Sequence, residues 1–300
     1  METLPVAAVV VNLDGGAMLE ACLDALEANA PAATVVVDNG SGAAELVRLA
    51  ARAGLRLVRN PDNRGFAGPA NAGLAAALSE RSVPYVVFVN NDCVLERGYL
   101  AACVAELQRD AGVAAAQGVV LDGDAYLVDG CGIGWAGNGT AVQLRRGEAP
   151  PPESEAAFAI PGVSATAGVF RIEAFRAAGG FEESFFAYYE DVDLSLRLAR
   201  TGARFVCVPS ARARHLGSAT GRRAPQARWR RLFTNRIRTL RRNLAPSARP
   251  GALAPGLRAA ARELGWARAL AAASGALIPG GSRRDREVFE ALPPLSKLPG

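Results

Sequence analysis

Between Pro5 and about Leu121, short runs that are apolar at nearly every position alternate with longer stretches of leucine and alanine at helical spacing. The runs cover residues 6–12, 34–38, 55–59, 85–90 and 113–121, and the helical stretches include 17–28 and 70–79. A strand that is apolar on both faces must be covered on both faces, which is the pattern of a parallel sheet, not of a half-solvated antiparallel one. Repeated strand–helix units joined by right-handed crossovers predict an α/β fold with helices on both faces of a mostly parallel, Rossmann-like sheet.

In such sheets ligands bind beyond the carboxyl ends of the strands. Here those ends read Asn12, Asp38-Asn39-Gly40-Ser41, residues 60–65 and Asn90-Asn91-Asp92. Asn and Asp favour turns for local reasons, but amides and carboxylates at four successive strand ends describe a polar pocket. Asp92 closes a strand of five apolar residues, 85–89. A carboxylate there is costly to bury unless it is paired or bound to a cation, and a hard divalent ion shared with a diphosphate would satisfy it.

After Leu121 the alternation stops. Residues 130–145 are glycine-rich and read as a hairpin or covering loop, and 148–155, with three consecutive prolines, as a mobile linker inside the domain. A second ordered block, 160–209, holds a helix over about 192–200 and a strand over 205–208. Glu190-Asp191-Val192-Asp193 opens that helix. Neighbouring helix positions are about 100° apart, so the three carboxylates cannot face one point. Acidic residues at a helix start are also ordinary caps. His215 is the single histidine, so any histidine chemistry must use it.

Half of the residues are hydrophobic and 21% are charged, a globular composition. Five cysteines without a Cys-x-x-Cys pair point to free thiols in a reducing compartment. The opening apolar run lacks a positive n-region and reads as a first strand, and no stretch reaches the roughly 18–20 apolar residues of a membrane span. The expected location is cytoplasmic. Gly40-Ser41-Gly42-Ala43-Ala44-Glu45 partly matches the dinucleotide fingerprint, but Glu45 stands in the place of its third small residue. There is no Walker A sequence.

The ordered set Val9-Val10-Val11-Asn12, Val36-Val37-Asp38-Asn39-Gly40-Ser41, Asn63-Arg64-Gly65-Phe66-Ala67-Gly68, Phe88-Val89-Asn90-Asn91-Asp92 and residues 179–194 resembles the family 2 glycosyltransferases, in particular their rhamnosyltransferase-like branch. The resemblance runs from about Val6 to Leu244 and implies a GT-A fold. It also implies an inverting, metal-dependent hexosyltransferase acting on a hydroxyl of a glycan or glycolipid in cell-envelope polysaccharide synthesis. Residue by residue, it implies Asp191 as general base and Glu190 in the acceptor site. Asn12, Asp38, Gly65, Asn71, Asn91 and Asp92 would bind the nucleotide sugar, with Asp38 on the pyrimidine base. Asp92 and His215 would hold Mg²⁺ or Mn²⁺. A dTDP- or UDP-sugar is the implied donor, dTDP-rhamnose first. The chain departs from the family in having Asn90 at the first position of the Asp-x-Asp motif, Pro69-Ala70 before Asn71, and Ala165 where glycine is usual.

The expected organisation is a catalytic domain over 1–220, with a nucleotide half to about 122 and an acceptor half from 123, and a basic helical extension over 221–300. Nine arginines crowd 222–242 among Trp229, Leu232, Phe233, Ile237 and Leu240, which line one helical face. Such a helix suits an anionic membrane surface, with the apolar face in the headgroup zone, or packs on the catalytic domain with its arginines in solvent. A second helix is expected over 257–273. The rival readings are a non-catalytic nucleotide-sugar-binding protein and a nucleic-acid-binding protein. Clustered arginine suits the latter but no base-reading module accompanies it. A nucleotidyltransferase lacks its basic triphosphate loop, since Leu13-Asp14-Gly15-Gly16 offers no cation. A homodimer is admitted, with no residue that specifies it.

Overall fold

The computed structural model describes residues 2–123, 126–135, 140–216 and 225–243. They fall into two compact units, one within Met1–Gly134 and Gln143–Ala219, the other within Trp135–Val142 and Thr220–Gly300. The first carries β1 (Leu4–Asn12), α1 (Ala17–Ala28), β2 (Pro31–Asn39), α2 (Ala43–Ala51), β3 (Leu55–Asn60), α3 (Ala67–Glu80), β4 (Tyr85–Asn90), β5 (Cys93–Leu95), α4 (Tyr99–Arg109), β6 (Val113–Asp122) and β7 (Val128–Gly130). After the short β8 (Ile133–Trp135) and β9 (Ala141–Gln143) come β10 (Phe158–Ile160), β11 (Val169–Arg171), α5 (Ile172–Ala177), α6 (Glu190–Ala199) and β12 (Arg204–His215).

The main sheet runs β10-β12-β6-β11-β4-β1-β2-β3, with β5 beside β12 and β7 beside β6. β3, β2, β1 and β4 are parallel, in register so that Asn12 lies beside Asp38 and Val11 beside Asn90. The polar strand ends therefore form one edge. β11 enters antiparallel between β4 and β6, and β6 is parallel to β12. With only three residues, β11 has too few positions for its period to show. Alternate residues of β1 face opposite layers. Val6, Ala8 and Val10 pack with α1 and α4 through Leu19, Leu23, Leu26, Leu100 and Leu107. Ala7 and Val9 pack with α3, α5 and α6 through Leu74, Phe175, Leu194 and Leu198. Burial on both faces is the physical reason that these strands carry no polar alternation.

Two expectations about the later chain are corrected. The segment 148–155 is irregular but anchored: the amide of Val128 donates to the Glu148 carbonyl, and the buried Arg212 donates to the carbonyl of Pro151. The strand expected over 205–208 continues, through an irregularity between Val208 and Arg212, to His215 itself. All five cysteines are buried and free.

In the second unit, α7 (Pro225–Asn243) bears the arginines. Phe233, Ile237 and Leu240 are buried, whereas Arg228, Arg230 and Arg242 are exposed. The helix expected over 257–273 lies outside the described residues. Among the described residues no helix is long and apolar enough to cross a membrane.

Candidate active site

Asn12, at the end of β1, is buried and spends its whole amide on its neighbours. Its Nδ2 donates to Glu45 Oε1 at 3.0 Å and to Ser41 Oγ at 3.5 Å, and its Oδ1 accepts from Asn91 Nδ2 at 2.8 Å and the Gly15 amide at 3.2 Å. A Cβ on Gly15 would lie 2.5 Å from that Oδ1 and 2.7 Å from Asn91 Nδ2, so only glycine lets the loop after β1 close so tightly. Glu45, which spoils the dinucleotide fingerprint, has its own task. It accepts from Asn12, the Gly16 amide and Arg48. Burial opposes its ionisation, but these donors and the Arg48 charge hold its carboxyl below the usual range. Asn12, Glu45 and Ser41 thus brace the loops that follow β1 and β2.

Asp38, at the end of β2, is fully buried. Its Oδ2 accepts from the Ser41 amide at 3.3 Å, while Oδ1 has no hydrogen-bond partner. Buried polar atoms are nearly always satisfied, so this oxygen calls for a partner that the chain itself does not supply. Asn39 beside it sews the β3–α3 loop to the sheet, donating to Asn63 Oδ1 and the Gly65 carbonyl and accepting from Asn60 and the Arg64 amide.

That loop meets the segment leading to α6. Phe186, at φ 64° and ψ −69°, sits at the centre of a γ-turn closed by the Ala187 amide on the Phe185 carbonyl at 2.8 Å. This positive-φ form is rare and strained. Tyr188 and Tyr189 are also at positive φ, 70° and 71°. Each such residue costs on the order of 1–3 kcal/mol and persists only where its surroundings over-determine it. The over-determining contact is visible: the Phe186 carbonyl accepts from the amides of Phe66 and Ala67, two of the unsatisfied donors at the start of α3. Gly65, at φ +79°, is the residue that Phe186 passes, and a Cβ there would collide with the Phe186 carbonyl. Asn71 lies one turn on. Its amide donates to the Phe181 carbonyl at 2.8 Å and to Glu183, and accepts from the Phe181 amide at 3.0 Å. The structure thus gives Asn71 a clasp on the 179–183 segment, with Phe181 packed edge-on to Phe88 at 4.8 Å.

Beyond this turn the three carboxylates of α6 separate. Asp193 is buried and paired with Arg197 Nε at 2.8 Å, and Arg197 also donates to the carbonyls of Ala178 and Gly180. Asp191 accepts from the amides of Ala165 at 3.2 Å and Val192 at 2.8 Å. Glu190 is buried, and its Oε2 has no partner. Burial raises both carboxyls. Asp191 adds its charge against Glu190, pushing that group well above the ordinary range, while amide and Ser164 hydroxyl bonds moderate the rise at Asp191. Glu190 is therefore raised further than Asp191, two carboxyls driven apart by their surroundings.

On the other flank, Cys93 in β5 faces His215 in β12, which brings Asp92 to the histidine. His215 Nε2 lies 3.2 Å from Asp92 Oδ1 but in a geometry that makes no hydrogen bond. Nδ1 lies 2.8 Å from Asp129 Oδ2, and Asp129 Oδ1 is 3.3 Å from Arg146. Burial works against the imidazolium, but the hydrogen bond to Asp129 and the carboxylate charges of Asp92 and Asp129 push its pKa up to about 9. Among the described residues no group of three or more His, Cys, Asp and Glu side chains is arranged around one metal position. Asp92 and His215 make a pair whose spacing matches adjacent ligands of an octahedral ion, about 3 Å apart for bonds of about 2.1 Å. Two protein ligands suit a cation that takes its other ligands from a diphosphate and water.

The site residues form one linked row. Asp38 adjoins Asn12 in register, Asn12 bonds Asn91, and Asp92 follows and faces His215. The Asn90 amide donates to the Thr166 carbonyl, and Ala165 next to it donates to Asp191. Sequence reasoning missed Asp129, Glu45 and the Phe186 turn. Only Glu45 had left a signal, as the misfit in the glycine motif.

Models of two families match the chain, Glycosyl transferase family 2 over residues 8–130 and Glycosyl transferase family group 2 over residues 85–278. The pre-mycofactocin glycosyltransferase of Mycobacterium tuberculosis is 29% identical over 186 residues, which are 60% of this chain and 37% of that one. The N-acetylglucosaminyl-diphospho-decaprenol L-rhamnosyltransferase of the same organism is 36% identical over 89 residues, 29% of this chain and 28% of that one. The match thus spans well under half the length of either relative. Among solved structures, GalNAc-T7 with UDP, GalNAc and Mn²⁺ superposes with TM-score 0.63 at 15% identity, over 80% of this chain and 48% of the other. The mannosyltransferase PcManGT from Pyrobaculum calidifontis, in complex with GDP-Man and Mn²⁺, gives 0.56 at 22% identity over 96% and 83%. At these identities the superpositions establish a shared GT-A fold.

Proposed function

The chain belongs to the family 2 glycosyltransferases, and from that premise we propose that it transfers a sugar, with inversion, from a nucleoside-diphosphate donor to a hydroxyl of a glycan or lipid-linked acceptor. The observation that carries this reading is the linked row of residues across the carboxyl edge. Along that path Asp38 would be the base-facing acceptor, Asp92 and His215 the cation pair, and Asp191 and Glu190 the base–acid pair, a reading supported by the links between them.

Each part has a task that its chemistry suits. Asp38 Oδ1 accepts the imide N–H of a uracil or thymine ring. Asn12, through Glu45 and Asn91, holds the loops after β1 and β4 against the donor. A divalent cation, Mg²⁺ or Mn²⁺, bound by Asp92 and His215 would neutralise charge developing on the leaving diphosphate. Asp191 takes the proton of the acceptor hydroxyl, a poor nucleophile until a positioned base assists it. Glu190, whose burial favours the protonated carboxyl, would donate a hydrogen bond to the acceptor. A base and a leaving group on opposite sides of the anomeric carbon give a single displacement, hence inversion.

The donor sugar is read as rhamnose on dTDP or UDP, a choice supported by the partly matching rhamnosyltransferase relative. Residues 1–220 would be the catalytic domain and 221–300 an extension. Its exposed arginines on α7 would hold the protein by charge to an anionic inner membrane face, near a lipid-linked acceptor in cell-envelope polysaccharide synthesis. The test is a panel of UDP-, dTDP- and GDP-sugars with Mg²⁺ or Mn²⁺, recording binding and sugar release for wild type and His215→Ala. One donor should bind and turn over, with turnover lost on chelation and in the variant. If none binds with either cation the reading fails, and salt-dependent nucleic-acid binding becomes the alternative to measure.

A further inference from the structure

His215 is held between two carboxylates, but the two contacts differ in kind. Asp129 Oδ2 makes a hydrogen bond to Nδ1 at 2.8 Å, whereas Asp92 Oδ1 faces Nε2 at 3.2 Å without one. Asp129 cannot join Asp92 as a ligand of the same ion, because it lies at the other ring nitrogen. It reaches the histidine from β7, which pairs with Val120 and Leu121 of β6, the same end of β6 at which His215, closing β12, lies beside Asp122. The second oxygen of Asp129 is occupied by Arg146, which leaves Oδ2 directed at the ring.

We infer that Asp129 is a positioning residue: by engaging Nδ1 it fixes the imidazole so that Nε2, beside Asp92, is the nitrogen presented to a divalent cation. This rests on the cation reading above and extends it to a residue outside the family-like motifs. A histidine that ligates a metal through one nitrogen generally donates its other N–H to a carboxylate or carbonyl, and removing that partner typically lowers metal affinity 10- to 100-fold. The ring's two nitrogens are equivalent in reach but not in surroundings, so the choice between them is made by Asp129.

The chain has one histidine, so ¹⁵N-histidine labelling yields a single imidazole spin system that reports the ring directly. Mn²⁺ affinity is measured by electron paramagnetic resonance with UDP or dTDP present, and the imidazole spectrum is recorded in the corresponding Mg²⁺ complex. Wild type should bind Mn²⁺ and show one imidazole form, protonated at Nδ1. Asp129→Ala should bind Mn²⁺ 10- to 100-fold more weakly and show a mixture of tautomers. Asp129→Asn, which keeps an acceptor oxygen, should fall between them, and it carries the test if the alanine variant does not fold. Wild-type affinity and an unchanged imidazole spectrum in the variants overturn the role of Asp129 and leave the cation site standing. No Mn²⁺ binding by wild type with either diphosphate overturns the cation reading and the inference together.

Discussion

Replacing Gly65 with alanine tests whether the strained turn at Phe186 is held in place by the start of α3. Gly65 sits at φ +79°, where a residue with a Cβ is disfavoured by roughly 1–2 kcal/mol. The added methyl would also meet the Phe186 carbonyl, which accepts from the amides of Phe66 and Ala67. Each of those bonds is worth about 0.5–1.5 kcal/mol net. Displacing the carbonyl therefore brings the total to about 2–5 kcal/mol. Gly54 provides the control. It has nearly the same φ, +77°, but a Cβ there would meet nothing within 4 Å. Gly54→Ala should cost only the backbone penalty, about 1–2 kcal/mol, and the difference between the variants isolates the contact with Phe186. Urea unfolding of both, with the slope checked for constancy, provides the comparison. Gly65→Ala should be less stable than Gly54→Ala by about 1–3 kcal/mol. Equal loss in the two variants would refute the idea that this contact secures the turn.

Three other outcomes follow from the site. Asp191 has its carboxyl raised by burial, and a base works only when ionised, so kcat/KM should fall with decreasing pH through a value above the ordinary aspartate range. A profile flat down to about pH 4 would contradict the assignment. Arg197→Ala removes the ion-pair partner of the buried Asp193, and should destabilise the protein by about 3–5 kcal/mol in chemical unfolding; a loss below 1 kcal/mol would show that this pair contributes little. Asp38→Ala removes an acceptor to the base, and a hydrogen bond to a charged group is worth about 1.5–3 kcal/mol. Donor affinity by calorimetry should drop roughly 10- to 150-fold, and an unchanged affinity would remove Asp38 from the donor site.

The sheet was legible because its strands are buried on both faces, so the runs at 6–12 and 85–90 advertise themselves as continuous apolar segments that end in amides and carboxylates. Covering helices such as α1 showed for the same reason, through spaced leucines. β11 was not legible: three residues carry no period, and its antiparallel insertion is decided by which gap in the sheet remains open. The carboxylates of α6 could be counted but not sorted, since Asp193 is taken by Arg197 only after the helix packs. Asn71 and Asn12 were chosen for their type, yet their amides serve partners 110 and 79 residues away along the chain. The γ-turn at Phe186 left no trace in composition, because its cause is a carbonyl meeting the start of a distant helix.

The central claim is that Asp191 is the base of a glycosyl transfer, and the most direct measurement compares wild type with Asp191→Asn for both donor affinity and turnover. Assisted proton removal contributes roughly 10²–10⁴-fold. The variant should bind the donor as wild type does and lose kcat by about that factor. Undiminished kcat in a variant that still binds donor would contradict the account.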